Sequence, residues 1–146
     1  MGKTYQKVIL KNFGDILKNK EGILKKGKIR KVEVDAIVDT GAAYLCLPPK
    51  VIENLGLLHT DTKPVKTANG IVKRRIFSVA AITINGRTIQ MDVMENDGTT
   101  PPLIGYLVLE EMDFVVEPRS HKIIPNPAND GKWIVDCYYS EPDFWS

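Results

Sequence analysis

Cysteine and histidine are scarce in this chain, at two residues each among 146. Cys46 and Cys137 are too few for a disulfide scaffold, and two histidines cannot anchor a His-rich metal site. No metal and no cofactor is therefore expected. Long apolar runs are also missing. No stretch approaches the roughly 20 apolar residues that a membrane span requires. The opening residues MGKTYQKVILKNFGD lack the continuous apolar stretch of a secretory leader. Gln6 stands where an N-myristoylation signal needs Ser or Thr. The expectation is a cytoplasmic protein with reduced thiols and no membrane partner.

Net charge is low, at +2, but unevenly placed. Residues 1–31 hold ten Lys or Arg against Asp15 and Glu21, a head of +8. Residues 92–146 hold three against eleven acids, a tail of −8. A nucleic-acid arm is one reading of such a head. The stretch lacks the interleaved aromatics of a base-stacking surface, which favours a solvated strand pair and loop.

What the chain does have is 43% hydrophobic residues, enough for one core, arranged in short β-type segments. Tyr5–Leu10 alternates as a strand, and Phe13–Gly27 reads as a Lys-, Gly- and Asn-rich loop. In Arg30–Val38 the residues Val32, Val34, Ala36 and Val38 fall on one face. Leu45–Leu47 is a short strand stopped by Pro48-Pro49, and Lys50–Leu55 a short helix closed by Gly56. Asn69-Gly70 and Asn85-Gly86 each predict a type I′ hairpin turn. The first would pair Val65–Ala68 with Ile71–Ser78, and the second Val79–Ile84 with Arg87–Met94. A loop over Asn96–Pro102, a helical turn over Leu107–Met112 and strands at Phe114–Glu117, Lys122–Ile124 and Trp133–Tyr139 complete the reading. The expectation is mainly β: one closed or nearly closed barrel with one or two short helices.

The chemistry concentrates in Ala36-Ile37-Val38-Asp39-Thr40-Gly41-Ala42. A hydrophobic strand delivers a carboxylate, a hydroxyl and a glycine into a tight turn. An aspartate at the end of an apolar strand is costly unless its charge is served. A glycine just beyond it lets backbone N–H groups approach the carboxylate and hold it ionised.

This loop resembles the active-site loop of the retroviral-type, retropepsin-like aspartic proteases. Leu103-Ile104-Gly105 resembles the second signature of that family, and Thr67-Ala68-Asn69-Gly70 falls where the family has its flap. The run from Pro102 to Pro125 is similar to the C-terminal half of small prokaryotic members. The resemblance covers roughly residues 4–125, which implies a protease domain over 1–125. A tail over 126–146 would pack on that domain or on a dimer interface.

The resemblance implies a retropepsin-like barrel in which Asp39, Thr40 and Gly41 are catalytic. Two aspartates about 3 Å apart share one proton and titrate as a unit. They activate a water that attacks the peptide carbonyl. Neither Asn96-Asp97-Gly98 nor Asn129-Asp130-Gly131 has the apolar strand or threonine to serve as a second copy. A dyad then requires a homodimer, with Asp39 from each subunit. Implied substrate-binding residues are Ala42, Ala68, Asn69, Gly70, Ile71, Val72, Ile104 and Gly105, with no metal. The substrate would be an extended, largely apolar peptide or protein segment. Many retroviral members carry an ion pair at the positions occupied here by Ala43 and Tyr106, so the dimer contacts must differ. Trp133, Tyr138, Tyr139, Phe144 and Trp145 are candidates for an interface or for packing on their own subunit. The alternative function is a catalytically weak or inactive peptide-binding or dimerisation module of the same fold.

Three further features carry less. Gly22 to Ile29 nearly spells a phosphate-binding loop, but Ile29 replaces the Ser or Thr that would hold Mg²⁺. Cys46 reads as a small core residue. His59 and His121 read as surface residues.

Overall fold

The computed structural model describes residues 3–135 and residue 137. Its strands are β1 (Thr4–Asn12), β2 (Lys31–Val38), β3 (Leu45–Leu47), β4 (His59–Thr67) and β5 (Gly70–Ile84). β6 (Arg87–Glu95), β7 (Leu103–Ile104), β8 (Phe114–Glu117) and β9 (Lys122–Pro125) follow. Three short helices intervene: α1 (Phe13–Lys20), α2 (Pro49–Leu55) and α3 (Tyr106–Met112). Residues 133–135 are not strand, and Tyr138, Tyr139, Phe144 and Trp145 lie outside the described residues.

The main sheet runs β1-β2-β7-β3-β6-β5-β4, and β1 also pairs with β5. That extra pairing closes a six-stranded barrel and leaves β4 outside the ring. β1 makes the closure: Thr4–Lys11 pair with β2, while Ile9–Asn12 pair with Ala80–Thr83 of β5. Val8 and Leu10 point into the barrel, where Leu45, Leu47, Ile82, Ile84, Val93 and Ile104 are also fully buried. Closure pairs β1 on both sides and leaves β4 as the outlying edge strand.

Both expected hairpins form, with one difference in turn geometry. Asn85 and Gly86 both have positive φ, 48° and 83°, as a type I′ turn demands. At the other turn only Gly70 does, at 110°. There Ala68 and Asn69 are the turning residues, and Thr67 pairs with Gly70. The Thr67 hydroxyl donates to the Gly70 carbonyl and accepts from the Asn69 amide, so a side chain braces the turn. β5 is one strand of 15 residues rather than two, but its register with β6 slips between Phe77 and Ala80. The bulge falls at Ser78-Val79, where the sequence suggests a break between strands. A bulge of this kind bends its strand and raises the local twist.

The segment after β1 is a helix rather than the loop its composition suggests. Asn12 caps α1 by accepting from the Asp15 amide, with Asp15 in the first turn and Lys18 and Lys20 in the last. The Asn12 side chain also donates to the Leu55 carbonyl at 2.8 Å, tying α1 to the end of α2. Asp15 is buried and accepts from the Arg30 amide, Nε and Nη2 at 2.9–3.0 Å. Those hydrogen bonds from Arg30 hold its carboxyl below the usual carboxylate range. Gly56, at φ 65°, leaves room for the same guanidinium: a Cβ there would overlap Arg30.

A second arginine anchors the other end of the molecule. Arg87 is 9% exposed and donates to the carbonyls of Met112, Asp113 and Gly131. It lies over the rings of Phe114 and Trp133, and the Trp133 indole donates to the Glu111 carbonyl. Asp113, in the left-handed region at φ 57°, accepts from the side chains of Asn126 and Asn129.

The pair of buried Asp15 and exposed Arg30 sets an acid limit on stability. A carboxyl whose folded pKa lies below its unfolded value of about 4 stabilises the fold above that pH. The contribution disappears as pH falls through the folded value. The urea midpoint of the wild-type chain should therefore fall as pH drops below about 4. Asp15→Asn should start lower at pH 7 and fall less over the same window. Parallel titration of the two proteins checks this.

Candidate active site

Asp39 follows directly on β2, whose parallel pairing with β7 continues into the turn. The Ile37 amide donates to the Pro102 carbonyl and the Asp39 amide to the Ile104 carbonyl, both at 2.9 Å. The Gly41 amide donates to Asp39 Oδ1 at 2.9 Å, and the Ala42 amide to the Asp39 carbonyl at 3.1 Å. The carboxylate is thus gripped by its own turn. A Cβ at Gly41 would stand 3.2 Å from Oδ1, so glycine leaves the amide a clear approach. Asp39 is half-buried, whereas Thr40 and Gly41 are exposed.

The chain leaves the turn through Tyr44 into β3, which pairs antiparallel with β7. β7 therefore runs between the strand that brings Asp39 and the strand that leads away. α3 starts against the same loop. The amides of Gly105, Tyr106 and Leu107 donate to the carbonyls of Tyr44, Ala42 and Ala43 at 2.8–3.1 Å. The opening N–H groups of a helix have no partner within it; here the catalytic-type loop supplies one for each. Gly105 is sterically obligatory: a Cβ would lie 2.4 Å from the Ala43 carbonyl carbon and oxygen.

Asp39 faces a cleft of about 650 Å³ between this loop and the β4–β5 hairpin. Ala42, Ala43, Tyr44, Cys46, Met94, Leu103 and Tyr106 line it, together with Val65, Thr67 and Arg74 of the hairpin. The sequence-implied residues divide. Ala42 lines the cleft. Ala68, Asn69, Gly70 and Ile71 are exposed at and beside the hairpin tip, and Val72 is half-buried opposite Val65. Ile104 differs from expectation: it is 0% exposed in the barrel core and reaches the site only through its carbonyl. Its neighbour Leu103 is the one on the cleft, because successive strand residues face opposite sides. Gly105 acts by close packing.

Cys46 is half-buried on the cleft wall rather than enclosed in the core. Burial, and secondarily the charge of Asp39, pushes its thiol up to about 11 while Arg74 acts the other way. It is therefore protonated at neutral pH and a poor nucleophile. Asp97, also on the cleft, has a different task. Its Oδ1 accepts from the amides and hydroxyls of Thr99 and Thr100. The Thr100 hydroxyl leads in holding its carboxyl down at about 2. It braces its loop as a permanent anion. Among the described residues no group of His, Cys, Asp and Glu is arranged to hold a metal.

Gly105→Ala should push the helix start off the loop, because the new methyl meets rigid backbone. A loss of about 2–4 kcal/mol is expected, in the range of strong overpacking. Chemical denaturation measures it, with Gly86→Asn at the exposed hairpin turn as a mild comparison.

The sequence model of the family described as gag-polyprotein putative aspartyl protease matches residues 25–111. No curated protein matches the chain. Among solved structures, EIAV protease complexed with the inhibitor HBY-793 is 13% identical at a TM-score of 0.52. That alignment covers 75% of this chain and 86% of the viral one. The solution structure of simian foamy virus (mac) protease is 16% identical, covering 72% and 90%, at a TM-score of 0.46. The likeness to the EIAV enzyme shows a shared retropepsin-like barrel. The span matched by the family model covers more than half the chain and contains Asp39-Thr40-Gly41, the β4–β5 hairpin and Leu103-Ile104 with Gly105. The chain belongs to the gag-polyprotein aspartyl protease family.

Proposed function

We propose that this chain is a homodimeric aspartic endopeptidase in which each subunit contributes Asp39. The observation that carries this reading is a half-buried carboxylate, gripped by the Gly41 amide, at the wall of a peptide-sized cleft. One carboxylate is half of the chemistry. Asp97 cannot act as its partner, because its charge is committed to four donors in its own loop. A two-fold axis next to the exposed Thr40-Gly41 turn would place two Asp39 carboxyls side by side. Two such groups share one proton. The ionised member takes a proton from the water between them as that water attacks the peptide carbonyl. The protonated member hydrogen-bonds the carbonyl oxygen and helps protonate the leaving amine. Thr40 of each subunit would brace the opposite loop. The β4–β5 hairpin would hold an extended peptide by strand-type hydrogen bonds.

Cleavage of extended apolar peptides from pH 4 to 7 tests the reading. The rate should fall as the shared proton is lost at higher pH, because the acid member must be protonated. Asp39→Asn should lower turnover by about 10²–10⁴-fold. Equal turnover by both proteins overturns the aspartyl mechanism. Binding without turnover by either favours a peptide-binding or dimerisation module. Sedimentation at micromolar concentration should give twice the 16.3 kDa chain mass. A strict monomer that still cleaves overturns the shared site.

A further inference from the structure

Two cations line the cleft, Lys66, which is exposed, and Arg74, which is half-buried. In the β4–β5 hairpin Val65 lies opposite Val72, and Lys63 opposite Arg74. Strand residues two apart share a face. Arg74 is therefore on the side of Val65 and Val72, and Lys73 and Arg75 are on the other. Burial agrees: Val65, Val72 and Arg74 are half-buried, while Lys73 and Arg75 are exposed. Arg75 is engaged, with Nε and Nη2 donating to the two carboxylate oxygens of Glu95 at 2.8 and 2.6 Å. Arg74 forms no ion pair among the described residues. It lines the cleft with Asp39, and its charge reaches across to Cys46, where it opposes the rise that burial imposes on the thiol.

A half-buried guanidinium with free donors is an incomplete contact. Its planar fork matches a carboxylate, and the pair gains strength where water is reduced. Val65, Met94 and Leu103 make the apolar part of the cleft, and of its other acids Glu95 is taken by Arg75 and Asp97 by its own loop. We propose that Arg74 is a specificity residue that selects peptides carrying an Asp or Glu side chain near the scissile bond. The assignment rests on the endopeptidase reading and narrows its substrate from purely apolar segments to apolar segments bearing one acid.

The test uses matched peptides with a central apolar pair and either Glu or Gln placed in turn at three positions on each side. The wild-type chain should favour Glu over Gln in kcat/KM by at least about tenfold at one position. Arg74→Gln should bring that ratio to near one, and Arg74→Glu should invert it. Lys73→Gln, which removes the same charge from the outward face, should preserve it. The preference should weaken with added salt. A wild-type ratio near one at every position overturns the proposal. So does an Arg74→Gln variant that slows Glu and Gln peptides equally with a shifted pH profile, since Arg74 would then serve Asp39. Binding of the same peptides to Asp39→Asn separates the two readings. A Glu preference in binding with no cleavage by the wild type overturns the endopeptidase and keeps the Arg74 assignment. Cleavage with no preference overturns only the Arg74 assignment.

Discussion

The contact between Gly105 and the backbone of Ala43 and Tyr44 is the constraint on which the site depends. It is a backbone-to-backbone approach that no side chain permits. Because it is so close, the opening amides of α3 reach the carbonyls of Tyr44, Ala42 and Ala43. The Asp39 turn is thus pinned from behind by a helix, and from the side by the amide–carbonyl bond to Ile104. A carboxylate must be held rigidly to be useful in catalysis, since misplacement of a reacting group raises the barrier. Here rigidity comes from backbone hydrogen bonds around the loop, which leaves the Asp39 side chain and the exposed Thr40 available to a second subunit.

The rest of the barrel serves this arrangement at a distance. β1 closes the ring by pairing on both sides, so the core under β7 is complete within one chain. Arg30 and Arg87 lock the peripheral helices, Arg30 by donating to the buried Asp15 carboxylate and Arg87 by donating to the buried Met112 carbonyl at the end of α3. The bulge at Ser78-Val79 lets one strand belong to the barrel at its end and to the cleft at its beginning. The ion pair that many retroviral relatives carry near this loop is absent. Ala43 supplies its carbonyl to α3, and Tyr106 lines the cleft. Half of the site is therefore organised without a buried charge pair, whose desolvation would have had to be offset.

Much of this was legible from residue type and spacing. The Asp39-Thr40-Gly41 turn, both hairpins, the Gly56 cap and the glycine after Leu103-Ile104 all follow local chemistry that each residue carries with it. The helix α1 was missed because its Lys-rich composition hides a short-range signal. Asn12 and Asp15 stand three apart, the spacing by which a side chain caps the first turn. The turn at Asn69-Gly70 differs because the Thr67 hydroxyl braces a tighter register than the dipeptide suggests. The exchange of Ile104 for Leu103 at the cleft is a matter of phase. Two adjacent apolar residues on a strand face opposite sides, and only the pairing with β2 and β3 sets which one faces in.

By itself the sequence determined the family and the single Asp-Thr-Gly turn that each chain carries, since these depend on which residues exist and how far apart they stand along the chain. The tertiary structure alone decided what surrounds that group. Arg74 faces Asp39 across the cleft, while Lys73 and Arg75, beside it in sequence, turn away. Cys46 sits on the cleft wall, and Arg87 gathers three carbonyls from segments 25 to 44 residues away. The reason is geometric. Strand phase, register and barrel closure are set by pairings between distant segments, and no local pattern along the chain encodes which face such a pairing will present.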